Sequence, residues 1–370
     1  MKQSRLLIFL FLLVPFVLSA QQRTREERRA HHDSLMHFWN TQDTNYIRKY
    51  PDRFIVTLSQ SYRQYDIRFF QTLEQDTLGH GAPQMIADAN ASSGLSIDFD
   101  KISFSFGIKT YPSTDSDIKK KGKTKYTSYS LSLGAYRFRF ESSYRSYHGF
   151  YDYKTPAYDT LFDSTGVYYQ NPSMDVRSMR VKTLFIFNKR KFSYNSAYFN
   201  TQRQLKSRGS WLLVSNLYDY RFKADTSLIP PASQFFYQQY GDLNYFRVQG
   251  ISFGPGYSYN IVLFKTLYFN ATLTSGFDFQ HRTYGTFSGN YSDKFWKVGA
   301  AGDARFALGL NGKRMFSSIT FRMDYNSYLS QGLRIEPRFK SVDLNFGYRF
   351  PFKERSWVKK MKSNKWYQML

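Results

Sequence analysis

One stretch narrows the possible folds more than any other: Ser-Val-Asp-Leu-Asn-Phe-Gly-Tyr-Arg-Phe, residues 341–350. Val342, Leu344, Phe346, Tyr348 and Phe350 share one parity; Asp343, Asn345, Gly347 and Arg349 share the other. Successive side chains of a strand point to opposite faces, so this segment is apolar on one side and wet on the other. The wet side carries both signs of charge. The apolar side ends in Tyr and Phe, residues suited to a membrane interface. A strand of a transmembrane β-barrel has this form, with lipid on one face and a polar lumen on the other.

The pattern recurs along most of the chain. Residues 54–70 are extended and β-rich. Leu95, Ile97 and Phe99 alternate with Ser96 and Asp98, and Ile102, Phe104, Phe106 and Ile108 alternate with Ser103, Ser105 and Gly107. Strands follow over 125–133 and 136–147, the latter setting Phe138 and Phe140 against Arg137, Arg139 and Glu141. Further strands are expected at 179–187, 192–198, 243–260, 265–282, 294–310, 314–329 and 335–350. Short turns near 100, 135, 189, 262 and 312 alternate with longer loops near 72–91, 112–123, 150–172, 206–242 and 283–293, and a smaller one near 330. Short periplasmic turns and long external loops are the habit of outer-membrane barrels. The expected fold is therefore all-β, an antiparallel transmembrane β-barrel of about twelve strands over residues 51–350. Residues 211–222 also read as a strand, either projecting above the membrane within one external loop or belonging to an extra pair; fourteen strands is the alternative. Gly254-Pro255-Gly256 reads as a bulge or kink.

Targeting supports the membrane over the competing class, a soluble aromatic-rich β-sandwich or barrel. Lys2 and Arg5, the apolar run 6–18 and Ser19-Ala20 form a cleavable signal peptide over residues 1–20. That run falls short of the ~20 apolar residues a spanning helix needs. Residues 21–50 are read as a periplasmic N-terminal extension, and 351–370, with Lys353, Lys359, Lys360 and Lys362, as a basic periplasmic tail open to a partner. His31, His32 and His37 lie in the extension, but no acidic or Cys spacing completes a metal site, so neither metal nor other cofactor is expected. The chain has no Cys, which removes disulfide and thiolate chemistry. The formal charge is +24. Export argues against nucleic acid as its counterpart; phosphorylated outer-membrane lipid and glycolipid fit better. The expected location is the cell outer membrane, reached with the help of a barrel-assembly machinery.

No phosphate loop, zinc motif or nucleophile elbow is present. His148 and His281 fall at expected external strand ends, with Ser142, Ser143 and Ser146 near the first and Asp278 near the second. A histidine there would serve a rim serine as general base. Gln202, Arg203, Gln204, Lys206, Ser207, Arg208 and Ser210 form a polar cluster suited to the lumen or mouth, where it would bind an anion or constrict a pore. Arg137, Arg139, Glu141, Arg322, Asp324, Asp343 and Arg349 are expected on the inward face. Mixed signs inside a narrow barrel point to a salt-bridge lattice.

Several local strings resemble a known family: Gly122-Lys123-Thr124-Lys125-Tyr126, Tyr147-His148-Gly149-Phe150-Tyr151, Phe192-Ser193-Tyr194, the run 202–210, and Tyr46-Ile47 leading to Tyr50-Pro51-Asp52. They are similar to an uncharacterised family of exported Bacteroidota proteins known by a domain-of-unknown-function label. The resemblance spans roughly residues 45–350 and implies an outer-membrane β-barrel without a defined activity. His148 stands where that pattern has a Lys or similar residue, which counts against a shared histidine mechanism. The leading functional expectation is a non-enzymatic barrel, either a narrow pore or a structural or partner-binding envelope protein. A lipase- or acyltransferase-type enzyme and an accessory to a secretion machine are the alternatives.

Overall fold

The computed structural model describes residues 41–71, 82–110, 114–134, 136–287, 289–292, 296–330, 332–353, 355–364 and 367. The signal peptide, residues 21–40 of the extension and its three histidines lie outside them. From Asp43 onward the chain is one compact unit.

Twelve strands form the wall: β1 (Arg53–Gln71), β2 (Ser92–Phe99), β3 (Ile102–Lys109), β4 (Lys125–Leu133), β5 (Phe138–Asp152), β6 (Gln170–Ile186), β7 (Arg208–Lys223), β8 (Leu243–Leu263), β9 (Leu267–Thr286), β10 (Lys297–Asn311), β11 (Met315–Asn326) and β12 (Leu333–Pro351). Each pairs antiparallel with the next, and β12 pairs back onto β1 from Leu333↔Gln71 to Pro351↔Arg53. The closed ladder leaves no strand edge to be satisfied by a solvent that lipid cannot provide. Both ends of the barrel chain lie at one rim, the terminal end. β2–β4 are short, and beyond them the strand Gln84–Asp88 continues the wall, pairing with β1 on one side and β5 on the other.

The faces are sorted as the period of two requires. Leu213, Leu273, Phe277 and Leu344 point outward and are 51%, 56%, 64% and 58% exposed. The alternate positions face the lumen and are polar or aromatic. A soluble barrel would be built the other way round, so this exterior demands a lipid solvent. On β8 the outward side chains from Leu263 to Ile251 are all apolar or aromatic. Those residues span about 30 Å along the membrane normal at the usual tilt, close to the thickness of a bilayer core. Beyond them the same face turns charged: Asp219 pairs with Arg221 at 2.9 Å and Arg247 at 2.7 Å, and Asp175 with Arg177 at 2.7 Å. No helix among the described residues is long and apolar enough to cross a membrane.

The strand number matches expectation, but one member is exchanged. Residues 192–198 are not a wall strand. Phe192, Ser193, Tyr194, Asn195, Ser196 and Ala197 are all buried, and Asn195–Tyr198 closes a helical turn. A wall strand must leave one parity open to lipid, and this segment buries both. Residues 211–222, in contrast, belong to β7, which pairs with β6 and β8 along its length. The expected external loop 206–242 therefore contains a membrane crossing. At Gly254-Pro255 the β8–β9 ladder is interrupted between Phe253↔Phe277 and Gly256↔Thr274, yet the register is unchanged, so this is a gap and not a bulge. Gly254 and Gly276 meet there; a Cβ on Gly254 would lie 2.1 Å from the Ser275 carbonyl oxygen.

Residues 43–50 belong with the barrel unit and not with a separate extension. Ile47–Lys49 pairs antiparallel with Gln202–Gln204. The tail also folds back: its helix Ser356–Ser363 buries Val358, Lys362 Nζ donates to the Pro51 carbonyl at 2.7 Å, and Tyr367 OH donates to Asp100 at 2.8 Å.

Candidate functional site

Among the described residues polar chemistry converges in the lumen, which is filled at three levels. At the terminal end, residues 187–207 turn inward between β6 and β7 as a plug. Asn311 donates to the Ser196 carbonyl at 3.0 Å, and Asn260 to the Ser193 carbonyl at 3.0 Å. Tyr198 OH donates to Asn270 at 2.6 Å, and Arg203 Nη2 to the Lys265 carbonyl at 2.6 Å. These bonds satisfy backbone that would otherwise sit unpaired inside the barrel. Arg349 joins plug to wall, donating to the carbonyls of Asn200 and Gly312 and to Asn311 Oδ1.

The middle level is a charge lattice. Arg145 on β5 reaches Asp324 on β11 at 3.2 Å, and Arg180 on β6 meets the same carboxylate at 3.2 Å. Lys182 pairs with Asp303 at 2.6 Å, and Arg305 with Glu141 at 2.9 Å. Strands β5 and β11 stand on opposite sides of a twelve-strand ring, so these pairs cross the lumen and do not merely line it. Tyr194 OH accepts from Arg305 at 2.9 Å and ties the plug to the lattice. Arg139, also buried, donates to Asn195 at 3.0 Å with its guanidinium over the Phe199 ring. A buried pair of this kind contributes little net stability against an apolar replacement, but losing one partner is costly.

The far level is aromatic. Tyr65, Tyr147, Tyr218, Tyr220, Phe246 and Tyr328 are buried together, and Tyr65 and Tyr147 stack at 4.9 Å. The far-end loop 224–242 closes over them: Leu228, Ile229 and Tyr240 are buried in the same cluster, and Tyr237 OH donates to the Phe69 carbonyl at 3.0 Å.

Between lattice and wall lies a chamber of ≈ 190 Å³. Its origin is compositional. The luminal positions of β1–β4 are small: Thr57, Ser59, Gly94, Ser96, Ser103, Ser105, Gly107, Ser128 and Ser130. Short hydroxylated side chains there face long cations opposite, and the two do not fill the space between. Ser105 and Ser130 share a hydrogen bond of 2.6 Å, and Arg63 pairs with Asp343 at 3.0 Å on the chamber wall.

Of the expected inward charges, Arg139, Glu141, Arg322, Asp324, Asp343 and Arg349 face the lumen. Arg137 does not join the lattice; it lies in the β4–β5 turn with its guanidinium 4.6 Å from the Phe185 ring. Arg63, Arg145, Arg180, Lys182, Asp303 and Arg305 were missed, although the same parity rule applied to their strands would have found them. The 202–210 cluster sits at the terminal end of the lumen. Gln202, Arg203 and Gln204 are buried in the plug ribbon, Lys206 and Arg208 lie over the Tyr46 ring, and Ser207 and Ser210 accept from the amides of Val262 and Asn188.

Neither histidine meets a nucleophile. His148 is on the outward face, opposite Lys125 and Asp175 in register, and makes no hydrogen bond among the described residues. The β5–β6 register shifts immediately after it, between His148 and Phe150, where Gly149 takes a positive φ. His281 also points outward, with Trp296 its ring neighbour at 6.2 Å. Asp278 is three residues away, hence on the opposite face, where it accepts from Tyr218. The expected His281–Asp278 proximity fails on strand parity alone. Among the described residues no His, Asp and Glu cluster could hold a metal ion.

At the terminal rim the charges are mostly positive. Lys49 lies 4.2 Å from the Tyr136 ring centre. Burial pushes Lys49 below the ordinary lysine range, with Asp100 pulling the other way. Lys189 is pushed down to about 8, first by burial and then by Arg137 and Lys49.

A closed, lipid-facing barrel with an occluded polar lumen defines the class of this protein: a membrane-spanning β-barrel. The chain belongs to the family described as Domain of unknown function (DUF4421), which matches residues 41–350. No curated protein matches the sequence. Among solved structures, the chain is similar to the outer membrane protease OmpT from Escherichia coli, with 8% identity, TM-score 0.35, and 82% of this chain and 98% of that one covered. It is similar to an outer membrane channel from Pseudomonas putida F1, with 8% identity, TM-score 0.35, and 84% and 100% covered. The toluene transporter TodX of Pseudomonas putida is also similar, with 8% identity, TM-score 0.29, and 81% and 90% covered. At these scores none carries an argument about what this chain does.

Proposed function

We propose that this protein is a non-enzymatic barrel of the bacterial outer membrane whose lumen is a closed binding chamber, and that it serves the envelope by holding a ligand or partner and not by conducting solute. One observation carries this reading: the Arg145–Asp324 and Arg180–Asp324 pairs bridge opposite walls at mid-lumen. Plug and aromatic cap lie on either side of them. The short turns at the terminal end favour the periplasm for that end, since outer-membrane barrels keep their short turns there.

The test is single-channel recording on the purified full chain in a planar bilayer, with insertion verified independently by protease protection. A silent membrane is the expected result. Discrete current steps from wild-type protein at neutral pH would overturn the closed-lumen reading and return the protein to the pore class.

A further inference from the structure

Building on the closed-lumen reading, we propose that the chamber beside β1–β4 binds a small oxyanion of the phosphate or sulfate class, held by Arg322. Arg322 lines the chamber. Its charged neighbours are Arg305, Arg145, Asp324 and Asp343. Every one of those carboxylates is already engaged: Asp324 by Arg145 and Arg180, Asp343 by Arg63. Arg322 itself makes no hydrogen bond or ion pair to any described residue. The other mid-lumen cations, from Arg63 to Arg305, each have a carboxylate within 4 Å.

An uncompensated guanidinium inside a protein wall is costly, and the structure around it has the parts to relieve that cost. Its planar fork matches two oxygens of an oxyanion. The facing wall supplies hydroxyl donors from Ser96, Ser103, Ser105 and Ser130. The space of ≈ 190 Å³ is well above the roughly 10–15 Å³ that one water requires, so a small hydrated anion fits. A carboxylate-lined cavity would repel such a ligand. Here the lining carboxylates Glu141 and Asp343 are paired with Arg305 and Arg63, Asp98 is hydrogen-bonded to Ser103, and the cation left without an ion pair is Arg322 beside a wall of hydroxyls, a combination that favours an oxyanion over a cation or an apolar solute.

The experiment is calorimetric titration of the full chain, refolded in phosphate-free detergent, with inorganic phosphate, using chloride at equal ionic strength as the control. Phosphorus NMR of acid-denatured, freshly purified protein shows whether an oxyanion is already carried. An extractable lipid phosphorus signal would identify a bound headgroup as the source, and a free inorganic signal a soluble anion. The expected result is saturable binding of one phosphate per chain, absent with chloride. Arg322→Gln should weaken it by about tenfold or more, because charge-assisted bonds to the anion are lost. Arg137→Gln, outside the chamber, should leave it unchanged. Arg322→Gln removes an uncompensated charge and is expected to fold; Ser105→Leu, which fills the chamber from the opposite wall, tests the same point independently. The proposal fails if the wild type neither carries nor binds phosphate, or if both variants bind as the wild type does. Bilayer recording on the same preparation separates the two readings. Current together with phosphate binding sinks only the closed lumen, and a silent membrane without binding sinks only the anion site.

Discussion

Replacing Arg349 by leucine tests whether residues 187–207 are held as a plug by specific bonds. The Arg349 side chain is fully buried. Nε donates to the Asn200 carbonyl at 3.0 Å, Nη1 to the Gly312 carbonyl at 2.7 Å, and Nη2 to Asn311 Oδ1 at 2.6 Å. The rings of Tyr50 and Phe316 lie 4.4 and 4.8 Å from the guanidinium carbon. Its charge is thus matched by carbonyls and ring faces and not by a carboxylate. Hydrogen bonds to a charged group contribute about 1.5–3 kcal/mol each. The three share one side chain, and the desolvation of the cation is recovered when it is removed, so they do not sum. A net loss of about 3 kcal/mol is the reasonable figure, equal to roughly a hundredfold in an opening equilibrium. The loss is local, because Asn200 belongs to the plug while Gly312 and Asn311 form the β10–β11 turn. Hydrogen exchange in detergent micelles reads it directly. Amides of 193–205 should exchange about a hundredfold faster, including Leu205 N, which donates to the Tyr46 carbonyl at 2.7 Å. Amides of β8 and β9 should be unaffected. Unchanged plug exchange, or equal acceleration throughout the wall, would refute the reasoning.

Three further outcomes are expected. Asp324→Asn strips Arg145 and Arg180 of their shared carboxylate and should lower barrel stability by about 3–5 kcal/mol, read as a lower urea midpoint in micelles; Arg180→Gln in the same background should restore part of it. An unchanged midpoint in Asp324→Asn would mean that the lattice bears no strain. Lys189 titrates near 8 in the folded chain and near 10.5 when unfolded, so the unfolded chain binds more protons between those values and this group makes stability rise with pH there. Below about 8 both states are protonated and the cost is constant; Lys189→Met should therefore flatten part of the alkaline rise, and superimposable curves would count against it. Gly276→Val places a Cβ 2.3 Å from the Phe253 carbonyl oxygen and should part β8 from β9, at about 1–3 kcal/mol, with reduced refolding yield on heat-modifiability gels.

Much of the wall was legible from local pattern. The alternation at 341–350 is β12, and its polar parity correctly put Asp343 and Arg349 inside. The pattern failed where alternation did not mean lipid. Phe192 and Tyr194 share a parity as wall residues do, yet they pack on Leu184, Ile186, Leu212 and Val214 inside the barrel. Hydrophobicity alone does not distinguish a side chain facing lipid from one facing the interior of the same barrel. That ambiguity moved a strand from 211–222 to 192–198. The His281–Asp278 pairing was a different kind of miss, since their spacing of three already places them on opposite faces of a strand.

What the sequence by itself determined is the face of each residue within its strand, because a strand has a period of two and a bilayer tolerates charge on one side only. What only the tertiary structure decided is which strand stands across from which. Arg145 meets Asp324 across a sequence separation of 179, and Arg322 stays unpaired beside a wall of serines contributed by other strands. Those relations follow from strand number, register and closure. These are properties of the whole ring, and no local stretch of sequence encodes them.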